Sequence, residues 1–119
     1  MAELIYMETN IISWADFERV ELRVGTIIKA EEFASLRKPA YKIWADFGAF
    51  GIKKSSAQIT HHYSCEGLIG KQIVGVINFA PKQISDFMSE FLVTGFADEN
   101  GHIVLNQPHM QVPNGSKLL

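Results

Sequence analysis

Between Tyr41 and Phe47 the chain changes character at every step. Tyr41, Ile43, Ala45 and Phe47 fall on one side and Lys42, Trp44 and Asp46 on the other. A period of two is the mark of a half-buried β-strand, and a chain built from such strands must find a second layer or close on itself. The same alternation runs from Glu21 to Phe33, with Leu22, Val24, Ile28 and Ala30 on one face and Glu21, Arg23, Lys29 and Glu31 on the other. Gly25 inside that stretch signals a bend of the kind a small barrel needs in order to curl.

The order of the remaining signals narrows the fold. Gly48 and Gly51 bracket a turn into a third strand, Ile52 to Ile59, which is polar on both sides as a working surface or an edge would be. The strand rhythm then breaks. Ser64 offers an N-cap and Gly70 a stop for a short helix around Glu66 to Ile69. A nearly all-apolar strand follows from Gln72 to Phe79, and another from Phe91 to Phe96. Asp98-Glu99-Asn100-Gly101 is a hairpin turn leading into residues 102–105. Ser13 opens a short leading helix at about residues 14–19, with Asp16 at its third position. The end of the chain, about 106–119, carries Pro108, Pro113 and Gly115 and reads as an extended tail. Three strands, a helix, then further strands define an all-β chain with the order of a five-stranded OB barrel, whose helix lies between strands three and four. An SH3-like or other small barrel is the competing reading.

Composition sets the function classes. The 119 residues fit one domain spanning 1–119. No apolar run reaches the roughly 20 residues of a membrane span. The leading segment, Met1 to Ser13, has Glu3 and Glu8 and no lysine or arginine, unlike a signal peptide. A single cysteine, Cys65, leaves no intrachain disulfide, and no Cys/His spacing resembles a metal site. His61 and His62 lack an acidic or cysteine partner nearby in sequence and read as surface residues. These features point to a cytoplasmic protein with no cofactor, no metal, no membrane insertion and no catalytic machinery: neither a nucleophile elbow nor a phosphate loop is present. Net charge is −2, unevenly spread. Residues 1–32 hold seven acids and three bases (−4), residues 33–82 seven bases and two acids (+5), and residues 83–119 four acids and one base (−3). A basic centre on a mildly acidic chain permits one local positive patch.

Four stretches, in order, resemble a known family. Asp16-Phe17-Glu18-Arg19-Val20-Glu21-Leu22-Arg23-Val24-Gly25-Thr26-Ile27 is similar to the opening of the tRNA-binding domain family, an OB module fused to some aminoacyl-tRNA synthetases and found also as free homodimers. Gly51 to Thr60, Val76 to Ile84 and Gln111 to Lys117 resemble its CsaA-type branch, the export-related chaperones. The resemblance covers about residues 14–119. It departs from the broader family at Arg37-Lys38-Pro39-Ala40-Tyr41, at Ser55-Ser56-Ala57-Gln58 and at Ser89-Glu90-Phe91-Leu92, substitutions that fit the chaperone branch.

In an OB barrel the ligand lies across strands two and three, flanked by the loops joining strands one to two and four to five. That geometry nominates Arg37 and Lys38 on the first loop, Tyr41, Lys42, Lys53, Lys54, Ser55 and Ser56 on the strands, and Asn78, Lys82, Phe87 and Met88 toward the second loop. Phe87 and Met88 would supply apolar contact, although Phe87 as a core plug and Asn78 as a strand end are equally open readings. Cations beside an apolar wall suit an unfolded peptide or a nucleic acid. The resemblance implies a homodimeric, ATP-independent chaperone that binds unfolded export precursors and works with the export machinery; the alternative is a tRNA-binding protein using the same groove. It also implies a dimer built by the end segments, through Trp14, Phe17, Val112 and Pro113.

Overall fold

The computed structural model describes residues 10–119; most of the leading segment considered above, residues 1–9, lies outside them. Helix α1 (Trp14–Glu18) is closed by a capping box: Ser13 Oγ accepts from the Asp16 N–H at 3.0 Å, and the Asp16 carboxylate accepts from the Ser13 N–H at 3.3 Å. Strands β1 (Leu22–Glu32), β2 (Tyr41–Asp46), β3 (Ile52–Ala57), β4 (Gln72–Val76) and β7 (Leu92–Val93) form one antiparallel sheet in the order β3-β2-β1-β4-β7. Helix α2 (Cys65–Leu68) lies between β3 and β4, where the sequence places it. The sheet curls into a nearly closed five-stranded antiparallel barrel, an OB-type architecture. Its two ends meet through the backbone, where the Glu90 N–H donates to Lys54 O at 2.7 Å, and through Ser55 Oγ, which donates to Phe91 O at 2.7 Å.

The inside of the barrel is filled by Ile27, Ile43, Ala45, Phe47, Leu68 and Ile73, all fully buried. Burying each of the larger chains is worth about 1.5–3 kcal/mol. Gly25 is there because Phe47 is: a Cβ at Gly25 would come within 2.8 Å of the Phe47 ring. The inward set of β1 differs from the simple alternation. Gly25 and Ile27 face the interior, and the register shifts between Ile27 and Lys29, so that Ile27 opposes Ala45 and Ala30 opposes Ile43. One extra residue, Ile28, is thrown outward by this bulge and is exposed. Parity breaks there, so Val24 and Ile28 do not share an inner face with Ala30.

The segment between β4 and β7 reads in sequence as a loop and proves to be a hairpin. Strands β5 (Lys82–Ile84) and β6 (Phe87–Ser89) pair with Ile84 opposite Phe87 and Lys82 opposite Ser89. Ser85, at the turn, takes the left-handed conformation at φ 56. A second small core lies beneath it, made of Phe33, Ala40 and Phe87 with Leu36, Trp44 and Ile84 packed around. Strands β8 (Gly95–Ala97) and β9 (Ile103–Leu105) form the last hairpin.

The extended tail runs back along β1. The Gly115 N–H donates to Val24 O at 2.7 Å and the Leu118 N–H to Leu22 O at 2.8 Å. Gln72 holds it as a backbone mimic, donating to Val112 O at 2.7 Å and accepting from Val112 N–H at 3.0 Å.

Candidate functional site

Alternation in β2 that buries Tyr41, Ile43 and Ala45 turns Lys42 and Trp44 outward. The register then aligns three strands, with Lys29 of β1 and Lys54 of β3 on either side of Trp44. Each ammonium group finds an aromatic face. Lys29 Nζ lies 4.4 Å from the Trp44 ring centre, Lys42 Nζ 4.6 Å from Phe33, and Lys54 Nζ 5.2 Å from Phe87. Such pairs hold cations in place without neutralising them. The face is therefore positive and aromatic, with Glu31 3.8 Å from the Lys29 amine and the Glu90 carboxylate on the Lys54 backbone N–H at 3.0 Å as acidic neighbours.

Beside this row an open cavity of about 340 Å³ lies at the base of the β5–β6 hairpin, lined by Phe79, Ala80, Lys82, Ser89, Phe91 and Leu92. Lys82 and Ser89 are the polar residues among the six that line it. Phe79 and Leu92 are half exposed, and Met88 is 41% exposed on the hairpin. On the other flank, Arg37 and Pro39 border a cavity of about 390 Å³ under the β1–β2 loop.

The residues expected at a binding face divide in two. Arg37, Lys38, Lys82 and Met88 are exposed, and Lys42, Lys53, Lys54 and Ser56 half-exposed, on the loops and strands expected of them. Tyr41, Ser55, Asn78 and Phe87 do other work. Tyr41 points into the core and donates its hydroxyl to Tyr63 O at 2.8 Å; burial pushes its pKa up. Ser55 is 2% exposed, its hydroxyl spent on closing the barrel. Both polar ends of Asn78 are tied to the link between α1 and β1, accepting from Glu21 N–H at 3.0 Å and donating to Arg19 O at 2.7 Å. Phe87 is 6% exposed and packs edge-on against Phe33 and Trp44, so it supports the face from below.

Of the residues assigned to a dimer contact, Trp14 is 64% exposed and touches Phe17 at 5.6 Å between ring centres, outside either core. Val112 is half-buried and pinned by Gln72, and Pro113 is exposed.

Sequence reasoning passed over Trp44, Phe33 and Lys29. A tryptophan at a polar position of an alternating strand, with lysine two residues before it, was the available signal for the first. Phe33 and Lys29 reach the site only through register across the bulge. Among the described residues no helix is long and apolar enough to cross a membrane.

A curled five-stranded barrel with one helix between its third and fourth strands, and a cationic aromatic face on strands two and three, defines the class: a small OB-fold binding module. Comparison with known proteins then gives the family. A family model described as a putative tRNA binding domain matches residues 22–117. The fold superposes on the crystal structure of chaperone CsaA from Bacillus anthracis with a TM-score of 0.86 at 50% identity, covering 92% of this chain and 99% of that one. The CsaA chaperone protein from Picrophilus torridus gives 0.85 at 42%, covering 92% and 100%. The chain belongs to the tRNA-binding domain family, in its CsaA-type branch. Methionine–tRNA ligases are also relatives, 28% identical in Methanococcoides burtonii over 90% of this chain and 34% in Methanococcus aeolicus over 92%. The chain spans 16% of the length of each of these two enzymes.

Proposed function

We propose that the chain is a homodimeric, ATP-independent secretion chaperone of the cytoplasm that binds unfolded export precursor polypeptides in this basic and apolar groove. The observation that carries the reading is the apolar cavity at the base of the β5–β6 hairpin, set beside a row of lysines. An unfolded chain offers large apolar side chains together with carboxylates, and the cavity suits the first as Lys54 and Lys82 suit the second. Adding a client strand to the edge of β3 is blocked at Lys54, whose backbone N–H and C=O are both taken by Glu90. Clients are therefore held by side chains in cavities. The 50% identity to chaperone CsaA of Bacillus anthracis supports the same reading. The exposed Trp14 and its neighbour Phe17, with Val112 and Pro113 of the tail, are the surface proposed for the second subunit. No bond-making step belongs to this function.

The test is a titration of a labelled unfolded precursor into wild type and two surface variants. Leu92→Ala and Met88→Ala each weaken precursor binding by about 1 kcal/mol or more while leaving the melting temperature in place. Leu92 lines the cavity and Met88 stands outside it on the hairpin, so unchanged affinity in Leu92→Ala would remove the cavity from the function. A second reading rests on the Lys29–Trp44–Lys54 row: phosphates on the amines and a base on the indole make a tRNA contact, as the family's description suggests.

A further inference from the structure

His61 and His62 sit on the turn that follows β3, and His102 lies just before β9, about forty residues away in sequence. The fold brings them together: one ring nitrogen from each of the three imidazoles lies within 4.8 Å of the other two. Asp98 organises the cluster. Its Oδ1 accepts from the N–H groups of Asn100 and His102, both at 2.9 Å, and its Oδ2 sits 2.7 Å from His62 Nε2. These bonds, the one to His62 first, hold its carboxyl down at about 2. A carboxylate on the outer nitrogen is the support that metal-ligating imidazoles ordinarily keep, and it leaves His62 Nδ1 as the donor. Independently, His102 Nδ1 is buried with no hydrogen-bond partner, 4.0 Å from the nearest Asp98 oxygen. A buried ring nitrogen without a partner is costly, and a bound cation is one of the few things that satisfies it.

We propose that His61, His62 and His102 form a binding site for one divalent transition-metal ion, with zinc the best fit, and that Asp98 positions His62 and supplies the negative charge. Three imidazoles without a thiolate or an oxygen cage select zinc, nickel or copper over magnesium and calcium. Ligation needs a small rearrangement. The His61 and His102 rings are stacked, 3.5 Å apart and 6° from parallel, so their lone pairs run side by side instead of converging. Rotation of the exposed His61 ring about χ2, a torsion with broad wells, opens the stack. The nitrogens then close to the spacing of about 3.4 Å that bonds of about 2.1 Å impose in a tetrahedral site. The fourth position faces a cleft of about 540 Å³ that His61 and His102 share with Lys38, Pro39 and Thr60. An ion there joins the turn after β3 to the β8–β9 hairpin and leaves one coordination position for water or a client carboxylate. The site goes beyond the chaperone reading and does not depend on it.

The full chain, stripped with a chelator, is titrated with zinc chloride alone by calorimetry and with Co²⁺ as a spectroscopic probe. One ion per chain and the intense visible bands of tetrahedral cobalt are expected. His61→Ala and His102→Ala abolish the one-site isotherm, Asp98→Asn weakens it about 10–100-fold, and His109→Ala leaves it unchanged. Should an alanine variant fail to fold, the imidazole resonances of wild type decide: zinc shifts those of His61, His62 and His102 and spares His109. Absence of saturable binding by wild type, or equal binding by folded His61→Ala and His102→Ala, overturns the proposal.

Discussion

Phe87 lies beneath the cationic aromatic face, with Lys42 and Lys54 over its ring and Phe33 and Trp44 packed edge-on against it. Removing it empties the smaller core, so Phe87→Ala costs about 3 kcal/mol of stability, read as a lower midpoint in denaturant. Binding is lost only as far as the fold is. A variant of wild-type stability that no longer binds clients would show the ring to be a contact. Asp98 gives a second test at this scale. Its folded pKa of about 2 lies below the ordinary 3.8, so its contribution is fully present above pH 3.8 and is lost as pH falls through about 2. Asp98→Asn is therefore less stable than wild type at neutral pH, and the gap closes between pH 3.8 and 2 in acid unfolding curves. A constant gap across that window would mean that the carboxylate's charge contributes nothing. The sequence left Phe87 open between core plug and contact and gave no sign of the role of Asp98, for one reason. A phenylalanine in a loop and an aspartate in an Asn-Gly turn each have an adequate local explanation, and what they do depends on partners 33 to 54 positions away.

At the scale of elements, the strands of the barrel were legible wherever local pattern and burial agree. The alternation of β2 is reproduced position by position, and α1 and α2 are closed by the serines that sequence assigns to them. Two elements escaped. The bulge at Ile28 has no glycine to announce it, because the outward residue is simply another isoleucine in an apolar run. The β5–β6 hairpin was hidden because Ser85 fills the left-handed turn position where asparagine or glycine is the usual signal. That strain is testable: Ser85→Val costs about 1–2 kcal/mol and Ser85→Gly costs nothing, compared by thermal melting. The tail offers a matching case. It has no strand pattern, yet Gln72 and Asn114 lace it to the barrel, with Thr26 Oγ1 donating to Asn114 Oδ1 at 2.7 Å. Gln72→Ala frees the Val112 backbone, lowering the local opening free energy by about 1–2 kcal/mol. Hydrogen exchange at the Val112 amide reads this directly, and unaltered protection there would assign the tail's order to its contacts with β1.

For the molecule as a whole, peptide and tRNA make opposite demands on one face, and salt separates them. Lys29, Lys42 and Lys54 stand over aromatic rings, with Lys82 at the apolar cavity beyond. Each phosphate gripped contributes about 0.7 to 0.9 to the slope of log K against log salt. If the lysine row holds tRNA, Lys54→Ala lowers that slope by about one contact, and Trp44→Ala weakens binding by about 1–3 kcal/mol with the slope unchanged. If the face holds unfolded precursors, most of the free energy comes from side chains entering the cavity. Wild-type binding then changes little between low and physiological salt, and Leu92→Ala weakens it more than Lys54→Ala does. The chaperone reading expects that pattern for precursor, and for tRNA an affinity that fades as salt rises. A precursor affinity that falls as steeply with salt as that for tRNA would place its binding on the lysines alone. The apolar cavity would then have no part in holding clients.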